Sequence, residues 1–338
     1  MTAAMPSRKT VAFTQKAVNV FFHILTQCNL HCRHCYINPD QHGRQHLPIG
    51  TIKAWLALFA DHNKAANVIF LGGEPTLHPG LAPAVRHARR LGYQSVTIDT
   101  NGYLFNSILD KVTPSEVDFF SFSLDGPTAA INDPIRGEGS YRACIEGMAA
   151  ARAKDFNISL IYTVSSANID ALPQILPLLK KMGVARFFIQ VIGIRGRCAA
   201  SERDTGQVTR ERWKQSVPPL AHEVAQAGIV TVYPKVFLDA NEAFECAGLV
   251  ADNYCIFPNG RVYRCPLCED YDLHAYQIIE NRLVPQPPIN ESDLFALTIP
   301  EGCVMNRLIQ PDNLRYTPAG NPAYQIACCL LKQEVSPS

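Results

Sequence analysis

The sequence predicts an α/β protein. A parallel sheet curves into a partial (β/α)6 barrel, open on one side, and a small C-terminal α+β region built on a hairpin follows. Three observations lead there. Six apolar runs between residues 18 and 194 alternate with helix-like stretches, and strand–helix units in series call for parallel pairing. The runs are rich in Val, Ile and Phe with few polar breaks, as in strands covered on both faces. A polar or glycine-containing motif follows each run, and ligands gather at the C-terminal ends of parallel strands.

The strands are read in order as V-N-V-F-F-H-I-L (18–25), N-V-I-F-L (67–71), S-V-T-I-D-T (95–100), D-F-F-S-F-S-L (118–124), I-S-L-I-Y-T-V (158–164) and R-F-F-I-Q-V-I (186–192). Helical patterns fill the gaps at Ile52–His62, Leu81–Leu91 and Tyr141–Lys154, and Gly92 and Gly183 stand where helices end. Six units fall short of a complete eight-stranded barrel, so the barrel is partial and of the TIM type. Cys28, Gly72-Gly73-Glu74-Pro75, Thr100-Asn101-Gly102, Ser123-Leu124-Asp125-Gly126, Ser165-Ser166 and Gly193 each follow a strand, so they share one rim.

The pattern changes near residue 195. Residues 195–210 read as a polar loop, and a helical segment at Glu211–Ala227 is expected to break at Pro218-Pro219. A strand at 229–233 follows. Residues 254–265 read as a hairpin turning at Pro258-Asn259-Gly260. A proline cluster at Pro285, Pro287 and Pro288 opens a loop-rich end. The expected division is an N-terminal extension (1–17), a barrel core (18–194), a connecting segment (195–240) and a C-terminal domain (241–338).

The 338 residues are 47% hydrophobic and 18% charged with a formal net charge of +1. That balance suits a globular protein with a sizeable core and offers no electrostatic case for nucleic acid or an anionic membrane as partner. No apolar run reaches the ~20 residues that span a bilayer, and the start lacks a secretory pattern, so the expected location is the cytoplasm. Twelve cysteines then need a reason other than disulfides. Cys28, Cys32 and Cys35 form C-x3-C-x2-C, and a second group runs from Cys246 to Cys329, which points to two metal sites. Three thiolates leave one iron of a [4Fe-4S] cluster open for a ligand. A structural zinc site completed by His31 or His34 is the plainer alternative.

C-N-L-H-C-R-H-C-Y followed by G-G-E-P resembles the signature of the radical S-adenosylmethionine (SAM) enzymes, over about residues 18–194. S-L-D-G-P, Arg136-Gly137 and Gly139-Ser140-Tyr141 are similar to the subgroup with an extra C-terminal iron–sulfur domain. The resemblance implies that Cys28, Cys32 and Cys35 hold a cluster whose open iron is chelated by SAM. One-electron reduction then yields a 5′-deoxyadenosyl radical that abstracts hydrogen from a substrate. It further implies that Gly72, Gly73, Glu74 and Pro75 receive the SAM ammonium beside Asn101, with Ser123 and Asp125 near its ribose or methionine part. Arg136 would pair with its carboxylate, and Tyr36 and the backbone around Ile192 would meet its adenine.

C-x13-G-x4-C from Cys246 to Cys265 resembles the opening of the auxiliary-cluster domains called SPASM or, when short, twitch. The pattern does not continue to a second cluster, so one auxiliary [4Fe-4S] cluster is implied. Cys246 and Cys265 lead its ligands, Cys303 and one of Cys328 and Cys329 follow, and Cys268 competes. On extended chain, adjacent cysteines point apart.

The expected function is radical SAM chemistry on a peptide or protein, with tetrapyrrole or other cofactor maturation as the alternative and a non-catalytic iron–sulfur carrier as the reading from another class. A low-potential donor such as ferredoxin or flavodoxin is implied. The short stretch before the first strand leads us to expect no leader-binding domain, hence a separate leader-peptide-binding protein. Cys144 reads as core, Trp55 and Trp213 as core or interface residues and Cys255 as half-buried packing, Cys198 has no assigned role, and His42, His46 and His78 read as solvated loop residues.

Overall fold

The architecture was obtained as a computed structural model that describes residues 10–60, 64–199, 206–239, 242–287 and 289–337. The start of the N-terminal extension, the expected helix end at His62, part of the polar loop (200–205) and Pro288 lie outside the described residues, as do positions 240, 241 and 338.

Seven strands run parallel in the order of the chain: β1 (Ala17–His23), β2 (Ala65–Leu71), β3 (Ser95–Thr100), β4 (Phe119–Ser123), β5 (Ile158–Val164), β6 (Arg186–Val191) and β7 (Val230–Pro234). The apolar runs become these strands because their branched and aromatic side chains are covered from both sides. Phe22, Phe70, Phe120, Phe122 and Phe187 are all fully buried. Helices Ile49–Phe59, Leu81–Arg90, Ser140–Arg152 and Ile175–Met182 cover the outside. The sheet does not close, which fits the expected partial barrel.

The strand read after residue 228 joins this sheet, with β7 parallel to β6. A two-stranded sheet follows, β8 (Phe237–Leu238) with β13 (Gln325–Ile326). The predicted hairpin is β9 (Asp252–Ile256) and β10 (Arg261–Tyr263), and Gly260 supplies the positive φ of its turn, 83°. Its position was not foreseen: β9 pairs in parallel with β1. The barrel sheet therefore continues through β10 into β11 (Tyr276–Ile279) and β12 (Arg282–Pro285). At the opposite edge, β14 (Lys332–Val335) runs antiparallel to β7. Buried amides stitch the centre. Asn19 Nδ2 donates to Asn253 Oδ1 at 2.9 Å and to Ala12 O at 2.7 Å, and Asn67 Nδ2 donates to Asn19 Oδ1 at 3.2 Å.

Pro218 and Pro219 do not break their helix, which runs from Arg210 to Gln226. Each proline removes one donor, at a cost of about 3 kcal/mol. Trp213, Val217, Leu220, Ala221 and Val224 are buried on one face of that helix, and each large apolar side chain contributes about 1.5–3 kcal/mol on burial. Packing therefore outweighs the local preference.

Candidate active site

Two loops meet at the rim. Gly73 N donates to Leu25 O at 3.1 Å and Glu74 N to Gln27 O at 2.9 Å, so the G-G-E-P loop is zipped to the segment that leads into the cysteines. A side chain at position 72 would meet Leu25 O at 2.6 Å, and one at 73 would meet Gln27 O at 2.2 Å. Both glycines are required by this approach. Glu74 is fully buried. Its Oε1 accepts from Thr76 N (3.1 Å), Thr76 Oγ1 (2.6 Å) and Thr100 Oγ1 (2.9 Å), and its Oε2 accepts from Asn101 N (2.7 Å). Burial pushes this carboxyl upward while those four bonds act against the shift. The carboxylate that sequence reasoning aimed at a ligand thus ties the turn after β2 to the turn after β3. Asn101 carries the tie onward: its Nδ2 donates to Asn29 Oδ1 at 2.7 Å and lies 3.8 Å from Cys28 Sγ.

Cys28, Cys32 and Cys35 are half-buried and line the mouth of a cavity of about 770 Å³. Gly72, Gly73, Glu74, Pro75 and Asn101 are on its wall. So are Tyr36, Ser123, Arg136 and Ile192. Asp125 is not: it lies behind the wall, fully buried. Its Oδ1 accepts from Thr163 N at 2.8 Å, and its Oδ2 is 2.6 Å from Arg136 Nε and 3.2 Å from His34 Nε2. Burial works against its charge, but Arg136 and His34 outweigh burial and hold the carboxyl well below the ordinary range. Asp125 therefore acts through Arg136, whose carbonyl lies 3.7 Å from Cys32 Sγ.

Burial raises the Cys28 thiol to about 11 and lifts that of Cys32 as well. Among the described residues no three His, Cys, Asp or Glu side chains converge on a point for a single metal ion. A cuboidal cluster asks instead for separate thiolates on separate irons, and that is the donor set the mouth offers.

The sequence did not single out Arg195 as a site residue; its place after the sixth strand was the only hint. Its Nη1 donates to Pro266 O at 2.8 Å and lies 3.2 Å from Glu269 Oε2, and its guanidinium carbon sits 4.9 Å from the centre of the Tyr36 ring. The Tyr36 hydroxyl is 2.7 Å from His23 Nε2. This chain of contacts joins the cysteine loop to the C-terminal region.

There, Cys246, Cys265, Cys268, Cys303, Cys328 and Cys329 line a second, smaller and mostly apolar chamber with Phe244, Phe295 and Met305. Both adjacent cysteines face it, against expectation. The chain is not extended there: Leu331 N donates to Cys328 O at 3.2 Å, and this turn brings both thiols to one side. Cys329, Leu267 and Leu330 also line the large cavity, so they form the partition between the two. Cys265 is fixed by the buried Glu291, whose carboxylate accepts from Cys265 N at 2.9 Å, from Ala275 N at 3.1 Å and from Arg264 N.

Cys144, Trp55 and Trp213 are buried, in keeping with a core reading, and Cys198 is buried too; Cys255 is fully buried rather than half-buried, because β9 pairs with β1 and packs it in one cluster with Phe257 and Tyr263. His42 and His78 are not solvated. His42 stacks on Phe257 with centroids 3.8 Å apart, and His78 Nε2 lies 2.7 Å from Leu47 O. His46 is exposed.

Residues 23–179 match the family described as the Radical SAM superfamily. This stretch is a radical SAM domain. Members of the family use a [4Fe-4S] cluster and SAM, and the three half-buried thiols at a cavity mouth fit that pair. The pre-heme d1 synthase of Dinoroseobacter shibae is 29% identical over 53% of this chain and 44% of its own length. The PqqA peptide cyclase of Gluconobacter oxydans is 25% identical over 77% of this chain and 70% of its own. Among solved structures, Streptococcus suis SuiB superimposes with a TM-score of 0.64 at 15% identity, over 83% of this chain and 68% of that one. The last likeness concerns the fold alone. The chain spans about half the length of several of the curated relatives it matches.

Proposed function

We propose that this chain is a radical SAM enzyme of peptide or protein modification. The observation that carries the reading is the junction of the C-x3-C-x2-C and G-G-E-P loops at the mouth of a cavity large enough for a drug-sized ligand, which takes roughly 300–1,000 Å³. With cluster and SAM bound, reductive cleavage of the sulfonium supplies a 5′-deoxyadenosyl radical that abstracts hydrogen from the substrate. Cys28, Cys32 and Cys35 hold the irons. Gly72 and Gly73 let SAM approach the backbone, and Glu74 with Asn101 fixes that edge. Arg136, oriented by Asp125, meets a carboxylate, while Tyr36 and Ile192 form an apolar wall for the adenine. Residues 18–194 form the catalytic core in this reading, and 241–338 hold one auxiliary [4Fe-4S] cluster through thiols drawn from Cys246, Cys265, Cys268, Cys303 and Cys328. A cytoplasmic location and a ferredoxin or flavodoxin donor complete the proposal. Among the described residues no helix is long and apolar enough to cross a membrane.

Tetrapyrrole or cofactor maturation is the second reading, and the likeness to a pre-heme d1 synthase favours it. A non-catalytic iron–sulfur carrier would need neither the glycine approach at 72–73 nor the cavity. Anaerobic reconstitution, dithionite and SAM should yield 5′-deoxyadenosine above a protein-free control. A fully iron-loaded protein that yields none would point to the carrier.

A further inference from the structure

The bore below the cysteine loop holds two ionisable side chains that the proposed chemistry does not use, Asp99 and Lys332. Both stand at the rim end of the sheet, where ligands of parallel α/β folds gather. Asp99 is the last residue but one of β3, and Lys332 lies opposite Pro234, the last residue of β7. Lys332 opens β14 directly after the turn in which Leu331 N donates to Cys328 O, so its backbone is fixed by the segment that carries two of the C-terminal thiols. Its Nζ lies 5.8 Å from the centre of the Phe188 ring. Burial pulls its amine below the usual lysine range, with Cys329 and Asp99 acting against the shift. Asp99 accepts a hydrogen bond from Ser121, its partner on β4, and burial lifts its carboxyl to about 7, with Glu74 adding to the rise.

The rest of the wall narrows the role of this lysine. Glu74, Asp99, Glu269 and Glu334 stand there against Arg136, Arg186, Arg195 and Lys332, so the cavity has no surplus of positive charge with which to hold an anion. The other charged groups are engaged. Glu74 takes four hydrogen bonds, Arg195 lies against Glu269, Arg186 against Glu334, and Arg136 against Asp125 behind the wall. Among the described residues no carboxylate is within ion-pair distance of Lys332. An amine held in a desolvated place without a counter-ion is the state in which lysine serves as a nucleophile. A carboxyl that changes protonation near neutrality and faces the same bore suits proton transfer. The electrophile that such an amine takes reversibly is a carbonyl carbon. The amine adds to it and a C–N bond forms, then the C–O bond breaks and a C=N bond remains. The two protons lost from nitrogen leave with the oxygen as one water, and Asp99 ends in the protonation state in which it began. No oxidant or reductant is needed.

We propose that Lys332 anchors a small aldehyde or ketone as an imine, with Asp99 relaying the protons. This goes beyond the radical SAM reading: it gives the cavity a carbonyl co-substrate, held covalently beside the molecule that is modified. The test is trapping of the imine in the anaerobic holoprotein, without SAM or an electron donor. Butanal, butanone and 2-oxobutanoate are offered separately with sodium cyanoborohydride, which reduces an imine to a stable secondary amine, and adducts are located by peptide mass spectrometry. With at least one probe, Lys332 should carry adduct at least about tenfold above every other lysine. That adduct should vanish in Lys332→Arg, which keeps the cation but not the nucleophile, and should fall about tenfold or more in Asp99→Asn. Iron content and circular dichroism check each variant's fold. If a variant does not fold, saturation in the wild type decides: adduct at Lys332 should level off with probe concentration, while adduct at exposed lysines rises in proportion. No adduct at Lys332 with any probe, labelling there no greater than at exposed lysines, or equal labelling in wild type and Asp99→Asn would each overturn the proposal. If the wild type then still forms 5′-deoxyadenosine in a separate assay, only this assignment falls. An adduct in a protein that forms no 5′-deoxyadenosine would keep the assignment and remove the radical SAM reading.

Discussion

The two cysteine groups of this chain sit in opposite surroundings. At the barrel mouth three half-buried thiols share a polar wall with Asn101, Ser123 and Arg136, and open onto a large cavity. In the C-terminal region six thiols line a small chamber walled by Phe244, Phe295 and Met305. Open coordination and polar partners suit a site where a charged cofactor must bind and react. A surplus of thiols and an apolar shell suit a site whose cluster is shielded from water. The comparison teaches that cysteine spacing locates a cluster, whereas the walls around it say what the cluster is for.

The hardest way to break this contrast is to remove one thiol from the open site. In the proposed reading Cys28, Cys32 and Cys35 are the minimum ligand set there, so Cys32→Ala should lower 5′-deoxyadenosine formation by at least about a thousandfold. Unchanged turnover would take Cys32 out of the site. A thiol removed from the closed site should do less. Cys265→Ala should lower iron by about four per chain while some SAM cleavage survives, because the loss falls on the auxiliary cluster. Unaltered iron content would refute that assignment. A complete loss of cleavage would mean that the two regions are coupled more tightly than the contrast allows.

Much of the open site was legible in the sequence because its parts lie at strand ends, and strand order follows from serial βα units. The three cysteines, both glycines and Asn101 reach the rim for that reason. What escaped depends on pairings distant in the chain. The parallel partnership of β9 with β1 brings Arg195 under Pro266 and Glu269. The edge strand β14 brings Lys332 into the bore. Neither pairing leaves a periodic trace. His42 and His78 read as solvated because loop composition does not reveal stacking on Phe257 or a bond to Leu47 O. The turn at Cys328 was missed for a local reason: two adjacent cysteines carry no turn residue to announce it.

The smallest expected effect on catalysis tests the support beneath the open site. Asp125 touches no cavity surface, yet it orients Arg136 and is 2.6 Å from its Nε. Asp125→Asn leaves a buried guanidinium without its counter-charge, a change that typically costs about 3–5 kcal/mol. Denaturant unfolding at pH 7 should show that loss, and SAM binding should weaken several-fold. The pH dependence has a definite sign. The native carboxyl lies well below its ordinary value, so its contribution is complete above the unfolded carboxyl's pKa of about 3.9 and is lost as pH falls through the native value. The stability gap between wild type and variant should therefore be widest near neutrality and begin to narrow only below about pH 4. A gap that does not change between pH 7 and the lowest pH at which both proteins still fold would assign the loss to shape rather than charge. Arg136 would then owe its place to packing, and the open site would differ from the closed one in polarity alone.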